Sequence, residues 1–331
     1  DNLPTIKGSL SDGLLKALGT RPKVEQKIDT TNPEAYEFYL KAKHKYEKRQ
    51  NTDDIEITRG LLNKAIELDY NLILAKNLLG KTYTEMGDYD EAMEIYTPAL
   101  NHAVEIGDKP GIGSVHKSIG AVHHHKGNFD KALEYYNRSL RIKEEIDDKP
   151  GIGIAHNSIG AVHHNKGNYD KALEYFNRSL RIKEEINDKP GMGASLGNIG
   201  VVYTNKGDYD KALEYYNRSL EIKKELSDKD GIGTDLGNIG VVYTNKGDYD
   251  KALGYYKRSL KIKEEIGDKE GVGTTLGNIG AIHHCKGDYD KALEYGNRSL
   301  KIRLEIGDKD GIGAALGNIG NVYGDKVDYD K

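Results

Sequence analysis

Residues 229–268 read KDGIGTDLGNIGVVYTNKGDYDKALGYYKRSLKIKEEIGD, and closely related stretches recur every 40 residues from about Ile73 onward. In the first half of this stretch, Leu236, Ile239 and Tyr243 have the spacing of one helix face, and the second half repeats such spacing. Each repeat is therefore predicted to form two amphipathic helices. Each pair buries only one apolar face by itself, so the pairs are expected to stack on one another.

Three positions of the repeat carry the same kind of residue along the chain. The first is glycine, at Gly80, Gly120, Gly160, Gly200, Gly240, Gly280 and Gly320. The second is alanine, at Ala92, Ala132, Ala172, Ala212, Ala252 and Ala292. The third is aromatic, at Tyr96, Tyr136, Phe176, Tyr216 and Tyr256, and Gly296 interrupts it.

Turn and cap residues agree with two helices per repeat. Gly247 and Asp248 separate the two apolar stripes, and Asp248 is placed to cap the second helix. Gly267 is placed to end that helix in a left-handed conformation, and Asp268 to cap the next first helix. Pro110 and its equivalents fall in the first turn of a helix, where the missing N–H costs little.

The repeat resembles the tetratricopeptide repeat at Ile239–Gly240, Tyr243, Gly247, Tyr249, Ala252, Tyr256 and Leu260. The family unit is usually about 34 residues, and this longer version is similar to the units of Pins-type adaptors and kinesin light chains. The resemblance implies an all-α, right-handed superhelical solenoid of antiparallel helix pairs, in which small residues let helices approach closely and aromatic rings fill the space between them. It also implies a concave groove lined by the first helix of each pair.

The domain organisation follows from this register. We expect an N-terminal helix and linker over 1–31, a divergent repeat over 32–72, six 40-residue units over 73–312 and an incomplete unit over 313–331. The N-terminal part resembles the tetratricopeptide tails of bacterial class III adenylate cyclases. Because the sequence lacks an initial Met and stops within a repeat, we expect it to be a fragment. The incomplete unit is expected to fray or to self-associate.

Composition argues against several function classes. The 331 residues include 49 basic and 53 acidic side chains, a net charge of -4 that gives no strong field for nucleic acid or an anionic membrane. Cys285 is the lone cysteine, which excludes an internal disulfide and favours a reducing, cytoplasmic location. The longest apolar run, Leu72–Ala75, is too short to span a bilayer.

Motifs that suggest chemistry have simpler explanations. Gly231, Gly233 and Gly237 lack the spacing and the preceding strand of a nucleotide-binding loop. The histidines of the first helices lack the cysteine or carboxylate partners of a zinc site. A groove whose binding responds to pH is the alternative function for these histidines. No nucleophile–base pair or carboxylate pair stands outside the repeat pattern. The sequence thus predicts a non-enzymatic protein without a cofactor or a metal.

The groove is the remaining candidate site, and its expected lining is polar and nearly uncharged. Asparagines at equivalent positions could hold the main chain of an extended peptide, or could equally bond to neighbouring helix ends. Lys117 is followed by Ala121, which argues against the Lys–Asn clamp that chaperone-binding members use for an acidic C-terminus. The expected groove residues are Lys117, His124, Asn157, His164, Asn198, Thr204, Asn205, Asn238, Thr244, Asn245, Asn278, His284 and Asn318.

Three functions are compatible with these observations. The leading one is a scaffold that binds a protein or peptide segment in the groove, without nucleic acid or membrane. A second is an accessory regulatory region of a larger bacterial signalling enzyme such as a nucleotide cyclase. A third is a sensor for a metal or small molecule, which predicts a discrete ligand site in one repeat rather than a continuous groove.

Overall fold

The computed structural model describes residues 32–49 and 52–329. The expected N-terminal helix and linker over 1–31 lie outside the described residues. Contacts between Cα atoms divide the chain into two units, Asp1–Asp148 and Lys149–Lys331. The described residues of both units are helical, without a strand.

The helices are antiparallel pairs joined by short turns, as the sequence predicts. The described part of the first unit contains α1 Pro33–Glu47, α2 Thr52–Leu68, α3 Ile73–Met86, α4 Tyr89–Glu105, α5 Lys109–His125 and α6 Phe129–Glu145. The second contains α7 Lys149–Asn165, α8 Tyr169–Glu185, α9 Lys189–Lys206, α10 Tyr209–Glu225, α11 Lys229–Asn245, α12 Tyr249–Ile266, α13 Lys269–Cys285, α14 Tyr289–Ile306 and α15 Lys309–Tyr329. Within the second unit each first helix also contacts the next first helix.

The predicted caps are confirmed. The Asp248 side chain accepts from the backbone N–H of Lys251 at 3.2 Å, and that of Asp268 accepts from Gly271 at 2.9 Å. Gly267 ends α12 with a φ of 74°, in the left-handed region that favours glycine. Pro98 lies inside α4, which continues as a helix from Tyr89 to Glu105.

The glycine and aromatic positions meet inside each helix pair. A Cβ added to Gly240 would lie only 2.6 Å from the Tyr256 ring, so the flat ring packs directly on the glycine backbone. Gly200 and Tyr216 have the same relationship, at 2.7 Å. Ala252 and Ile239 complete this core and are almost fully buried. Helix pairing therefore depends on a residue without a side chain opposite a ring.

Two sets of exposed ion pairs recur in the second unit, one within a helix pair and one between consecutive helix pairs. A lysine at the start of a first helix bonds to a glutamate 36 residues later, as in Lys189–Glu225 at 2.8 Å. A lysine at the end of a first helix bonds to an aspartate 36 residues earlier, as in Lys246–Asp210 at 2.8 Å. Because such exposed pairs are screened by water and salt, they contribute more to register than to stability.

Candidate functional site

The candidate site is a row of asparagines on α9, α11 and α13. Asn198, Asn238 and Asn278 occupy the same position of three successive first helices, and each is partly exposed. The residue after each one is a buried isoleucine that faces the core, for example Ile239 at 1% exposure. Since neighbouring residues on a helix point about 100° apart, the asparagine is directed away from that core. We call the side of α9, α11 and α13 that carries this row the first-helix face.

The asparagines differ in what they contact. Asn198 donates from Nδ2 to Asn157 Oδ1 at 2.9 Å, a bond that joins α9 to α7 across 41 positions of sequence. The residue 41 positions before Asn238 is Gly197, and the residue 41 positions before Asn278 is Gly237. Glycine offers no side-chain acceptor. Among the described residues, neither Asn238 nor Asn278 makes a side-chain hydrogen bond. Their amides are therefore available to a molecule outside the chain.

The two threonines expected in the groove are oriented differently from the asparagines. Thr204 is only 8% exposed, and its hydroxyl donates to the Gly200 carbonyl at 2.9 Å. Thr244 donates in the same way to Gly240 at 2.9 Å. This differs from the sequence expectation because a threonine in a helix satisfies its hydroxyl on the preceding turn. Neither hydroxyl proton is free for a bound segment.

The histidines on this side pair mainly with the next repeat. His164 Nε2 lies 2.7 Å from Asn205 Nδ2, and His284 Nε2 lies 2.7 Å from Asp325 Oδ2, again 41 residues apart. Asn245 is exposed at the end of α11. Within the described residues no cluster of three His, Cys, Asp or Glu side chains could hold a metal ion. These contacts give the histidines structural partners.

Lys117 and His124 belong to the first unit. Burial lowers the pKa of Lys117, and the positive charges of Lys81 and Lys143 lower it further. The His124 ring packs edge-on against Phe129, and burial lowers its pKa as well. Both groups thus sit where a positive charge is disfavoured.

His163 and His283 occupy a position of the first helices that packs against a tyrosine ring of the second helix. His163 stacks on Tyr175 with ring centroids 5.5 Å apart, and His283 stacks on Tyr295 at 5.6 Å. In neighbouring repeats Tyr243 stacks on its partner ring in the same way. Histidine and tyrosine are therefore exchangeable planar rings at this position.

One feature of the second unit was not anticipated from the sequence. Where α14 carries Gly296 in place of an aromatic residue, a cavity of about 200 Å³ lies between α13, α14 and α15. The signal that identifies it is the interruption of the aromatic position, which was visible in the sequence. Its volume depends on whether neighbouring helices close the gap, so only the tertiary structure reveals it.

The repeated helix pairs define a helical-repeat protein whose candidate site is a surface rather than a catalytic cleft. A family model described as tetratricopeptide repeat matches residues 71–145, 151–225, 232–305 and 274–331. The chain belongs to the tetratricopeptide repeat family. Repeats of this family form scaffolds typical of protein–protein interaction and are generally non-enzymatic.

Solved structures with the same fold come from varied proteins. A Pyrococcus horikoshii signal transduction ATPase with numerous domains and a tetratricopeptide repeat sensor is 16% identical, with a TM-score of 0.70; the match covers 97% of this chain and 49% of that one. Apo RapI is 17% identical, with a TM-score of 0.64; the match covers 83% of this chain and 99% of that one. BtubC (BKLC) from P. vanneervenii is 21% identical, with a TM-score of 0.52; the match covers 70% of this chain and 89% of that one. At these identities the likeness is one of fold.

No curated protein matches the chain. The family match concerns the repeats and does not support the resemblance to adenylate cyclase tails. None of the helices in the described part of the chain is long and apolar enough to cross a bilayer.

Proposed function

We propose that the chain is an interaction scaffold and that the first-helix face of its second unit binds an extended segment of a partner protein. The observation that carries this proposal is the unpaired state of Asn238 and Asn278, beside the internally paired Asn198. A carboxamide offers both a donor and an acceptor, which matches the peptide group of an extended chain.

The spacing of the row suits main-chain recognition. Packed helices lie about 8–10 Å apart, and an extended chain advances about 3.3 Å per residue. About every third residue of a bound segment would therefore meet the next asparagine. The direct contact between Asn157 and Asn198 supports the close approach of successive first helices.

The charges beside the row favour a neutral segment over an acidic one. Lys206 and Lys246 stand at the ends of the same helices, and each is already paired with an aspartate of the preceding repeat, at 2.5 and 2.8 Å. An acidic ligand would compete with those carboxylates. Binding of a neutral segment is expected to depend weakly on salt, whereas a rival site built on the lysines would lose affinity steeply.

The test begins with a random peptide library displayed on phage and selected against the purified chain. An enriched peptide is synthesised, and its affinity is measured by calorimetry for the parent, for Asn238→Ala/Asn278→Ala and for Asn198→Ala. Two hydrogen bonds worth about 0.5–1.5 kcal/mol each predict roughly 5- to 150-fold weaker binding for the double variant. Asn198→Ala is the matched control and should change affinity little, because its amide is used inside the protein. Equal affinities for the parent and the double variant would contradict the proposal.

A second variant blocks the row without removing an asparagine. Gly237→Asn places a carboxamide 41 residues before Asn278, where Asn157 stands relative to Asn198. The nearest atom to a Cβ at Gly237 is Ser259 Oγ, at 3.4 Å, so a side chain requires little adjustment. We expect weaker peptide binding for Gly237→Asn and unchanged binding for Gly237→Ala, the control for the loss of glycine. Equal binding by both variants would show that Asn278 is not the recognition element.

The other functions considered from the sequence stay predictions. A regulatory region of a signalling enzyme is compatible with the fold but has no residue-level support. Self-association through α15 would use Leu316 and Tyr323, which are 52% and 54% exposed. Sedimentation of the parent and of Leu316→Ser/Tyr323→Ser over a concentration series tests it, since self-association predicts a concentration-dependent mass only for the parent.

A further inference from the structure

The aromatic ring of each second helix fills one defined space in its repeat. In the second unit the rings of Phe176, Tyr216 and Tyr256 lie against Gly160, Gly200 and Gly240, between 2.6 and 2.8 Å from the position of an added Cβ. The hydroxyl of Tyr256 also reaches Thr244 Oγ1, at 3.3 Å. This repeated arrangement shows that the space accepts a flat ring, with or without a hydroxyl.

The α13–α14 pair keeps the glycine but lacks the ring. Gly280 lies opposite Gly296, and the atoms nearest to a Cβ at Gly280 are backbone atoms of Ala292 and Gly296, at 3.3 and 3.4 Å. The cavity of about 200 Å³ remains between these helices and α15. Ile319 of α15 borders it and lies 3.0 Å from where a Cβ of Gly296 would be. The space is therefore reduced but not filled by the chain itself.

The cavity extends to the first-helix face. Its inner lining is formed by Gly280, Ala292 and Gly296, and its lining also includes Asn278 and His284 of α13. Two further lining residues, Ala281 and Ala314, are exposed, which places the opening on the solvent side of α13 and α15. The opening is thus beside Asn278, one of the two asparagines with an unpaired amide.

We propose that this cavity is a specificity pocket for one aromatic side chain, phenylalanine or tyrosine, of the bound partner segment. That source of the ring rests on the proposed function, whereas the affinity of the cavity for a ring does not. Cavities of about 150 Å³ with an apolar lining bind benzene, so about 200 Å³ accommodates a phenyl or phenol ring. Buried aromatic side chains are also the residues that most often anchor interfaces.

The position of the pocket fixes its relation to the asparagine row. Asn278 lines both the row and the pocket, so a segment whose main chain bonds to Asn278 presents an adjacent side chain to the opening. In repeats with a ring of their own, such as that of Tyr256, the ring itself occupies the equivalent space. The aromatic residue is therefore recognised at one point of the segment, and this gives the otherwise repetitive face a single register.

The direct test uses p-cresol, the side chain of tyrosine, as the probe. Binding to the full chain is followed by methyl NMR, with shifts expected at Ile319, Ala281 and Ala315 and a saturable, millimolar affinity. Gly296→Tyr supplies the missing ring, with Ile319 moving aside, and should weaken p-cresol binding at least tenfold. Gly254→Tyr is the matched control, because it adds the same side chain at an exposed position of α12 with no neighbour within 4 Å, and it should bind p-cresol like the parent.

A second variant covers the case in which Gly296→Tyr does not fold. Ala281→Val narrows the opening, and valine is already present at the equivalent positions Val201 and Val241. It should weaken p-cresol binding with little change in melting temperature. Parent-like p-cresol binding by both variants, or no saturable binding to the parent, would overturn the pocket.

The proposals for the pocket and for the asparagine row can be tested independently of each other. Asn238→Ala, which changes the row at a residue outside the pocket lining, should bind p-cresol like the parent, whatever its effect on peptides. Peptides selected on the parent should share one aromatic residue, and selection on Gly296→Tyr should lose that preference. Selected peptides without a shared aromatic residue, together with saturable p-cresol binding, would reject the anchoring role.

Discussion

Ser219 donates its hydroxyl proton to the backbone carbonyl of Gly193 at 2.9 Å, and so joins the second helix of one repeat to the first helix of the same repeat. Ser219 is fully buried. The same bond is present at Ser179, Ser259 and Ser299, each with the glycine 26 residues earlier. The buried serine at this position of the repeat therefore has a regular structural role.

The first prediction concerns this bond. Ser219→Ala should lower the free energy of unfolding by about 1 kcal/mol, since it removes one buried hydrogen bond but leaves no cavity. The Gly193 carbonyl keeps its backbone hydrogen bond within α9, so the decrease in the free energy of unfolding stays small. Denaturant unfolding of the purified variant measures it. Ser219→Val is the comparison, because its added methyl group has to be accommodated at a fully buried site and should cost more. A Ser219→Ala protein as stable as the parent would show that the bond contributes nothing.

The second prediction separates two glycines of one repeat. Gly240→Ala should destabilise the protein by about 1–3 kcal/mol, because its Cβ would lie 2.6 Å from the Tyr256 ring. Gly254→Ala should stabilise it by about 0.5–1 kcal/mol, because α12 has open space there and alanine is the better helix former. Thermal unfolding of both variants shows whether each substitution lowers or raises the stability. Two shifts of the same sign would contradict the packing of ring on glycine.

The third prediction is a pH dependence that arises from buried His156. Burial and, second, the charge of Arg178 lower the pKa of His156, and its Nδ1 has no hydrogen-bond partner among the described residues. The unfolded chain therefore takes up the proton first, so stability is complete above about pH 6.5 and falls as the pH drops toward the lower folded-state pKa. Leucine stands at the equivalent Leu196.

His156→Leu should therefore show a smaller fall in melting temperature between pH 7 and pH 5 than the parent. The exposed His125, changed to the asparagine found at its equivalent Asn165, is the control and should follow the parent curve. Melting curves recorded at half-unit pH steps make the comparison. Parallel curves for the parent and His156→Leu would exclude protonation of this buried ring as a cause.

The fourth prediction concerns the buried ion pair of Lys223 and Asp235. Lys223 Nζ bonds to Asp235 Oδ1 at 2.9 Å, whereas Lys183 of the preceding repeat bonds to Asp188, five residues further along the chain. Burial raises the pKa of Asp235, an effect that Lys223 opposes. The folded state therefore holds this proton more tightly, and the associated stability is lost as the pH rises through the folded-state pKa.

Asp235→Ser should leave the protein at least as stable as the parent at pH 7. Ser195 already occupies the equivalent site, and Lys223 can then turn to Asp228, as Lys183 does to Asp188. Its advantage over the parent should grow from pH 4 to pH 7. Asp235→Ser/Asp228→Asn removes both partners of Lys223 and should be clearly less stable. If Asp235→Ser alone costs several kcal/mol at pH 7, the pair itself is stabilising.

Much of the fold follows from local chemistry. Asp248 and Gly267 mark helix ends because capping and left-handed turns depend on one or two residues, so the sequence predicts them well. The orientation of a side chain within a predicted helix is harder to predict. Thr204 was expected on the surface with Asn198, yet its hydroxyl turns back to Gly200 and the residue is buried.

By itself, the sequence determined the 40-residue period and the two helices of each repeat, because these depend on patterns within one repeat. Only the tertiary structure decided which asparagine is available, since the partner of Asn198 lies 41 residues away on another helix. It also decided that the missing ring at Gly296 leaves an open cavity. The asparagine bond and the cavity both depend on how closely separate helices approach one another. That distance is set by the packing of neighbouring helices and cannot be read from the pattern within one repeat.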